Sequence, residues 1–388
     1  MRIAIVHNQY GKFSGEEAVV RDQAALLRSR GHEVEFFLRS STELMQMHWG
    51  AAKAFFCGIY NPFAVCAFRA FLKEKKPDIV HIHNLYPLIS PAILPECTKA
   101  GIPVIMSVHN YRLICPNGLL MNQTGICEKC AGGHEWNCIR YNCENSLFKS
   151  IGYALRNWFS RRRRYYLQNV DMFAVLTDFQ REKLVSAGIQ RNRISVLPNM
   201  VPGPENAADG DEEEVASGQY VAFAGRCSRE KGIDLILETA KRLPHINFKL
   251  AGTGAEQYRK NAPANVTFCC HLAQTALNDF FRNSRFAIVA STWYETFGIV
   301  AVEAMLNAKT VIYPDFGAMH EVVGGNKFGV SFPMGNVSAL AQAVENLWED
   351  PAQSRELGKK AQKRAFELYS PEIYFDKLIK IYALAAKK

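Results

Sequence analysis

The chain is expected to be α/β, built as two doubly wound parallel-sheet domains. Short apolar runs such as Arg2–Val6, Ile79–Ile82 and Phe286–Ala290 recur along its whole length, each leading into a loop and then a helical stretch. Its 388 residues exceed one usual core, so two domains of roughly 180 to 200 residues are the natural division. Between the two arrays, Val201 to Gly218 is polar, acidic and rich in breakers, as a linker would be. The expected plan is therefore a first domain over 1–200, a linker over 201–218 and a second domain over 219–368. A final helical segment covers 369–388.

The first domain opens with a strand at Arg2–Val6, a loop from His7 to Ser14, a helix from Gly15 ending before Gly31, and a strand over Glu33–Leu38. In such sheets ligands collect beyond the carboxyl ends of the strands, which puts Gly11 and Gly15 on the ligand side. Ala51 to Lys73 reads as one apolar, aromatic-rich helical stretch, for which core packing is the expected role. Asp78–His83 and Ile102–Val108 are strands that run into His83-Asn84 and His109-Asn110-Tyr111-Arg112. A histidine just past a strand's carboxyl end is well placed for a site, so His109 is a candidate. His81, within its strand, is expected to be structural.

From Cys115 the texture changes to Cys127-Glu-Lys-Cys130, His134, Cys138 and Cys143. Cys127, Cys130, Cys138 and Cys143 have ligand chemistry suited to tetrahedral zinc, though the spacing is shorter than in zinc ribbons. A reduced, metal-free insert is the other reading. Ser146 to Asn169 is helical, with Phe148, Ile151, Leu155, Trp158 and Phe159 among cations that include Arg161–Arg164. It suits either a helix lying on an acidic membrane surface or a solvated basic face over a core helix. Nucleic acid ranks last as a partner, because no nucleic-acid module accompanies the run.

Further strands at Val170–Leu176 and Arg193–Leu197 flank a helix over Asp178–Ala187. In the linker, Asp209-Gly210-Asp211 is read as solvated charge. The second domain begins with a strand from Tyr220 to Gly225, followed by Arg226-Cys-Ser-Arg-Glu-Lys231-Gly232 and a helix over Ile233–Arg242. Two cations five apart beyond a strand end could grip a diphosphate. Phe248–Gly254 adds a strand and a Gly-x-Gly turn that lacks the third glycine of a dinucleotide fingerprint. Val266–Cys270 is a strand before His271-Leu272, and Thr275–Ser284 a helix. After the strand near Ile288 comes the loop Ser291–Phe297, and Gly298 to Asn307 then reads as a helix. Its first amides lack intrahelical carbonyls and suit a phosphate. Glu295 stands before that seat, and Glu303 lies roughly 7 Å along the helix beyond it. Thr310–Tyr313, Val330–Phe332 and three helical segments from Val337 to Ala385 complete the alternation.

Composition limits the partners. Hydrophobic residues make up 48% and charged residues 21%, and no apolar run reaches the roughly 18 residues a spanning helix needs. The start reads as a strand without a signal-peptide core, so a cytoplasmic location is expected. Eleven cysteines, an odd count, fit reduced thiols in such a location. The net charge of +9 favours anionic partners.

Glu295, Phe297-Gly298 and Glu303 on a small-residue helix resemble the donor signature of retaining GT-B glycosyltransferases of family 4. The resemblance covers nearly the whole chain and is strongest from Gly225 to Glu303. It implies two Rossmann-like domains facing across a cleft, with the last helix returning to the first domain. It also implies a UDP- or GDP-sugar as donor, a glycan or lipid-linked hydroxyl as acceptor, and no required cofactor. By the same resemblance Arg226, Lys231 and the amides at Phe297, Gly298 and Ile299 meet the diphosphate, and Glu295 and His109 meet the sugar. Glu303 would hold the ribose, Leu272 the base, and Gly15, Glu16 and Gly254 the rest of the donor site. Where many relatives have Asp after this histidine, the chain has Asn110, and Ser14-Gly15 stands in place of two adjacent glycines. A non-catalytic nucleotide-sugar-binding protein docked to a membrane complex is the alternative.

Overall fold

A computed structural model describes residues 1–11, 15–46, 48–204 and 218–387. Most of the expected linker, with Asp209-Gly210-Asp211, and residues 12–14 of the first glycine loop lie outside them. The chain divides into two units, one comprising Met1–Pro198 with Tyr374–Lys388, the other Asn199–Ile373.

The strands of the first unit are β1 (Arg2–Gln9), β2 (Glu33–Ser40), β3 (Ile79–Ile82), β4 (Val104–Val108), the hairpin β5 (Met121–Asn122) and β6 (Gly125–Ile126), β7 (Met172–Val175) and β8 (Ile194–Val196). Six of them form a parallel sheet in the order β2-β1-β3-β4-β7-β8. Ile3 to Val6 and Ile79 to Ile82 are buried throughout, as continuous apolar strands covered on both faces must be. The chain leaves β1 in one direction for β2 and returns to its other side for β3. The carboxyl ends of β1 and β3 therefore flank a switch point, where loops diverge and leave room for a ligand.

His81 is structural, as its position inside β3 suggested. Its Nε2 lies 2.8 Å from Ser107 Oγ, and its Nδ1 lies 2.9 Å from Gln23 Nε2 and 2.8 Å from Tyr382 Oη. Tyr374 donates to Gln23 Oε1 at 2.7 Å. The terminal helix Pro371–Ala386 is thereby tied by two tyrosines to buried polar groups of the first unit, which satisfies groups that would be costly to bury alone.

Two long helices expected from the sequence are broken. The stretch 51–73 is two helices, Gly50–Ile59 and Pro62–Lys75, bent by 60°. Asn61 caps the second by accepting from Ala64 N, and Pro62 occupies its first turn, where a missing N–H costs nothing. Core packing describes only the second helix, which buries Val65, Phe68 and Leu72; in the first, Gly58 alone is fully buried. Likewise 146–169 is Leu147–Arg162 and Tyr165–Asn169, parted at Arg164 with φ +53°.

The second unit has β9 (Val221–Ala224), β10 (Phe248–Ala251), β11 (Val266–Cys269), β12 (Phe286–Ile288), β13 (Val311–Pro314) and β14 (Val330–Phe332). They form a parallel sheet ordered β11-β10-β9-β12-β13-β14. Helix Ile233–Arg242 buries Ile233, Ile236, Leu237 and Ala240 against it, a helical stripe in which each large side chain contributes about 1.5–3 kcal/mol. Here the switch point lies between β9 and β12, so the loops after these two strands are neighbours.

Gly232 shows how tightly those loops are joined. Its φ is +73°, and a Cβ on it would fall 1.8 Å from the carbonyl oxygen of Ala290. Gly232→Ala is expected to destabilise the second unit by roughly 3 kcal/mol or more, because neither the backbone angle nor the carbonyl can yield cheaply. Urea unfolding followed by tryptophan fluorescence checks this.

Candidate functional site

The site predicted in the second unit assembles at its switch point. The loop after β9 carries Arg226 and Lys231, and the loop after β12 carries Ser291 to Phe297. The backbone zips the two together. Thr292 N donates to Glu230 O at 2.9 Å, and its hydroxyl donates to Arg229 O at 3.1 Å.

At the centre Lys231 Nζ lies 2.6 Å from Glu295 Oε1. The same oxygen accepts from Ser291 Oγ at 2.5 Å and from the Trp293 indole at 3.0 Å. Burial alone would push the Glu295 carboxyl up; Lys231, Ser291 and Trp293 outweigh it and hold the group below the ordinary carboxylate range. Glu295 is therefore a buried anion in a fixed position. Lys231 keeps about a quarter of its side chain exposed, with its ammonium 5.4 Å above the Trp293 ring. One side of the cation is neutralised and another stays open to solvent.

Arg226 points outward, with its guanidinium 3.1 Å from Glu230 Oε1. The two cations thus each have a carboxylate of their own. Both carboxylate pairings went unforeseen, because a spacing of five says nothing about which acids the returning loops bring. Trp293 left a readable trace, an N–H-bearing ring two residues before a buried glutamate.

Phe297 is buried, its ring edge-on to Tyr369 at 5.2 Å. That anchor fixes the backbone entering helix Ile299–Leu306, whose N-cap is Gly298 at φ +81°. The helix offers its leading amides, which have no carbonyl within it to accept them, and the positive end of its dipole. Glu303, on this helix, is buried, and burial raises its carboxyl to about 7 against a hydrogen bond from Gln274. Gly225, Gly252 and Gly254 bring the turns after β9 and β10 into backbone contact. A Cβ on Gly252 would lie 1.8 Å from Gly225 O, and Cys227 N donates to Thr253 O at 2.7 Å. Leu272 is half-buried after β11, before helix Gln274–Arg282.

The first unit gathers its candidates at its own switch point. Asn8 and Asn84 tie β1 to the loop after β3, with Asn84 Nδ2 donating to Asn8 O at 2.7 Å and Leu88 N donating to Asn8 Oδ1 at 2.8 Å. His83 Nδ1 lies 2.8 Å from His109 Nε2, with the rings stacked at 5.1 Å. Burial lowers His109 to about 4 and, despite Glu16, His7 to about 4 as well. Both are neutral near pH 7, so His109 can exchange hydrogen bonds but carries no charge to offer. Gly15 opens helix Gly15–Ser29, and Glu16 on it accepts from Tyr10 Oη at 2.8 Å, while Glu17 accepts from Tyr10 N at 2.7 Å. Burial pushes the Glu16 carboxyl up against the pull of His7, Arg112 and Tyr10. Arg112 itself donates to Asn84 Oδ1 at 3.1 Å. Tyr10, His7 and Arg112 are polar members of this cluster that the sequence did not single out.

Of the thiols considered for zinc, Cys130, Cys138 and Cys143 meet in one small cluster, with Cys115 beside Cys130. Cys130 and Cys138 pack on Ala154 of helix Leu147–Arg162. Among the described residues no group of three or more His, Cys, Asp or Glu side chains is arranged to hold a metal ion. Cys127, the remaining thiol of the set considered for zinc, is half-buried.

Comparison with known proteins places the chain among relatives. The family model described as Glycosyltransferase Family 4 matches residues 13–202, and that described as Glycosyl transferases group 1 matches residues 207–364. An uncharacterized 42.6 kDa protein in the cps region of Klebsiella pneumoniae is 25% identical over 83% of this chain and 87% of its own. A D-inositol 3-phosphate glycosyltransferase of Gordonia bronchialis is 26% identical over 97% and 85%. Among solved structures, sucrose-phosphate synthase of Thermosynechococcus elongatus superposes with a TM-score of 0.72 at 18% identity, covering 98% of both chains. Anabaena HepE in complex with UDP and glucose gives 0.66 at 17% identity, covering 99% of both. These likenesses show that the chain shares the fold of those proteins.

Proposed function

The chain belongs to the family 4 glycosyltransferases of GT-B fold, and from that premise we propose a retaining transfer of a sugar from a nucleotide diphosphate to a hydroxyl. The observation that carries the proposal is the Lys231–Glu295 pair held at 2.6 Å, with Glu295 three residues before the helix end at Gly298. In this reading Lys231, Arg226 and the amides at Phe297, Gly298 and Ile299 stabilise the leaving diphosphate, which makes a divalent metal unnecessary. Glu295 orients the donor sugar and opposes the positive charge that develops at its anomeric carbon. Glu303 accepts from ribose hydroxyls, and backbone groups near Leu272 and Gly254 receive the base.

His109, Gly15 and Glu16 are assigned to the sugar and acceptor end of the reaction. Being neutral, His109 is suited to bind a sugar hydroxyl and poorly suited to act as an acid. The bond from anomeric carbon to diphosphate oxygen breaks, the bond to the acceptor oxygen forms on the same face, and the acceptor proton passes to the leaving phosphate. HepE's complexes with UDP and UDP-glucose support a uridine donor, and GDP-sugars are the competing class. The relative from a cps region supports an acceptor in cell-surface polysaccharide assembly; a glycolipid acceptor and access from the cytoplasm complete the reading.

The test is a panel of UDP- and GDP-sugars screened by thermal shift, followed by transfer to glycan and lipid-linked acceptors. The anomeric configuration of the product is then read by NMR. Saturable stabilisation by one donor class with an α-linked product from an α-donor is expected; inversion overturns the retaining assignment. Arg226→Ala should lower kcat/KM by several-fold with part of the loss in kcat, a smaller effect than that of Lys231→Ala, because its exposed guanidinium is already shared with Glu230. Steady-state kinetics separates the two.

A further inference from the structure

Helix Leu147–Arg162 is folded inside out. Its buried positions are Ser150, Gly152, Ala154, Arg156, Asn157 and Ser160, whereas Phe148 and Trp158 are 51% and 46% exposed, with Leu155 also on the surface. Positions 148, 151, 155, 158 and 162 fall on one stripe at helical spacing. A helix of a soluble core turns its apolar stripe inward. Here the inward face is polar and hydrogen-bonded into the first unit: Ser150 donates to Asn142 Oδ1 at 3.1 Å, Arg156 to Pro116 O at 2.7 Å and Asn157 to Arg112 O at 2.6 Å. The outward apolar stripe is therefore not a packing accident, since the buried side is separately specified.

A second apolar element adjoins it. Helix Gly50–Ile59 packs on Leu147–Arg162, with Phe55 stacked on Phe148 at 5.0 Å. Gly152 permits the approach, because a Cβ there would lie 2.7 Å from the Phe55 ring. This helix buries only Gly58, and around it Trp49 is 83% exposed, Phe56 67% and Phe63 82%. The following helix does not continue outward; its Phe68 and Leu72 are in the core. Among the described residues no single helix is long and apolar enough to cross a membrane; Gly50–Ile59 and Pro62–Lys75 reach that length and composition only together, bent by 60°.

Charge selects the occupant. Neither Trp49–Lys73 nor Ser146–Asn169 contains an Asp or a Glu. Lys53, Lys149, Arg162, Arg163 and Arg164 are exposed on them. Aromatic side chains bordered by cations, with no anion among them, match an interface of acyl chains beneath anionic headgroups. A protein partner of ordinary composition would meet an unbroken field of one sign.

We propose that the exposed faces of Gly50–Ile59 and Leu147–Arg162, with Trp49 and Phe63, form one docking surface for an anionic phospholipid bilayer. The surface holds the first unit at the membrane, where a lipid-linked acceptor would be met. It uses none of the residues assigned to the donor, so it holds or fails independently of the transfer reaction.

Flotation of the full chain with vesicles tests it. Wild type is expected to float with phosphatidylcholine vesicles containing 30% phosphatidylglycerol (an about physiological anionic fraction) and to stay behind with pure phosphatidylcholine. Phe56→Ser/Phe63→Ser/Leu155→Ser/Trp158→Ser should abolish flotation. Arg162→Glu/Arg163→Glu/Arg164→Glu, which alters only exposed positions at a helix end, should weaken it about a hundredfold or more. Both variants should keep the wild-type thermal shift with UDP or GDP. Wild type that ignores anionic vesicles overturns the proposal, as does undiminished flotation of the charge-reversed variant. So does a concentration-dependent dimer in sedimentation that the serine variant abolishes while vesicle binding is absent.

Discussion

Lys231→Ala is expected to lower sugar transfer by about 10²–10³-fold, the usual loss when one stabiliser of a developing anion is removed. It should also destabilise the second unit by roughly 3 kcal/mol, because Glu295 stays buried after its counter-ion has gone. The sign of the pH dependence follows from the pair. Glu295 is held below its ordinary value in the folded state, so its contribution is present at neutral pH and fades as pH falls through that depressed value. Wild type and Lys231→Ala should therefore differ most near pH 7 and converge in acid. Adding Glu295→Gln removes the stranded charge. Lys231→Ala/Glu295→Gln should recover most of the stability and none of the activity. Denaturant melts at several pH values, paired with initial rates, distinguish this from a lysine that merely props up the fold.

Glu303→Gln should move stability and binding in opposite directions. Burial raises this carboxyl to about 7, above its value in the unfolded chain. The folded state then holds a proton that the unfolded state has released, and stability drops as pH rises from about 4.5 to 7, by up to about 3 kcal/mol at pH 8. Glutamine carries no such cost. The variant should melt roughly 5–10 °C higher than wild type at pH 8 and nearly level with it at pH 5. Its donor affinity should nevertheless fall about ten- to a hundredfold, through loss of a charged acceptor. Thermal melts across pH together with donor titrations read both effects. A residue kept only for packing would not trade one against the other.

Much of the fold was legible because a parallel strand covered on both faces is an apolar run, and such runs announce themselves. Helix Ile233–Arg242 and strand Val330–Phe332 fall where periodicity put them. Strand order was not legible, and it decides the site: only the switch between β9 and β12 brings Lys231 to Glu295, 64 residues on. Residue types told of a cation loop and a glutamate loop. Their direct pairing, the Ser291 and Trp293 braces and the Arg226–Glu230 contact depend on side-chain directions that spacing does not carry. The stretch 51–73 misled for a different reason. Composition reads apolar residues as core, whereas Gly50–Ile59 buries only Gly58 and leaves Phe56 exposed.

Titrating UDP and GDP into ¹⁵N-labelled protein, with backbone amide shifts as the readout, addresses the central claim most directly: one pyrophosphate bound by the loop after β9 and the helix end at Gly298. Saturable shifts at Gly298, Ile299 and the residues from Gly225 to Lys231 are expected, weakened by Lys231→Ala. Saturable binding that leaves those amides unmoved and shifts others would contradict the account.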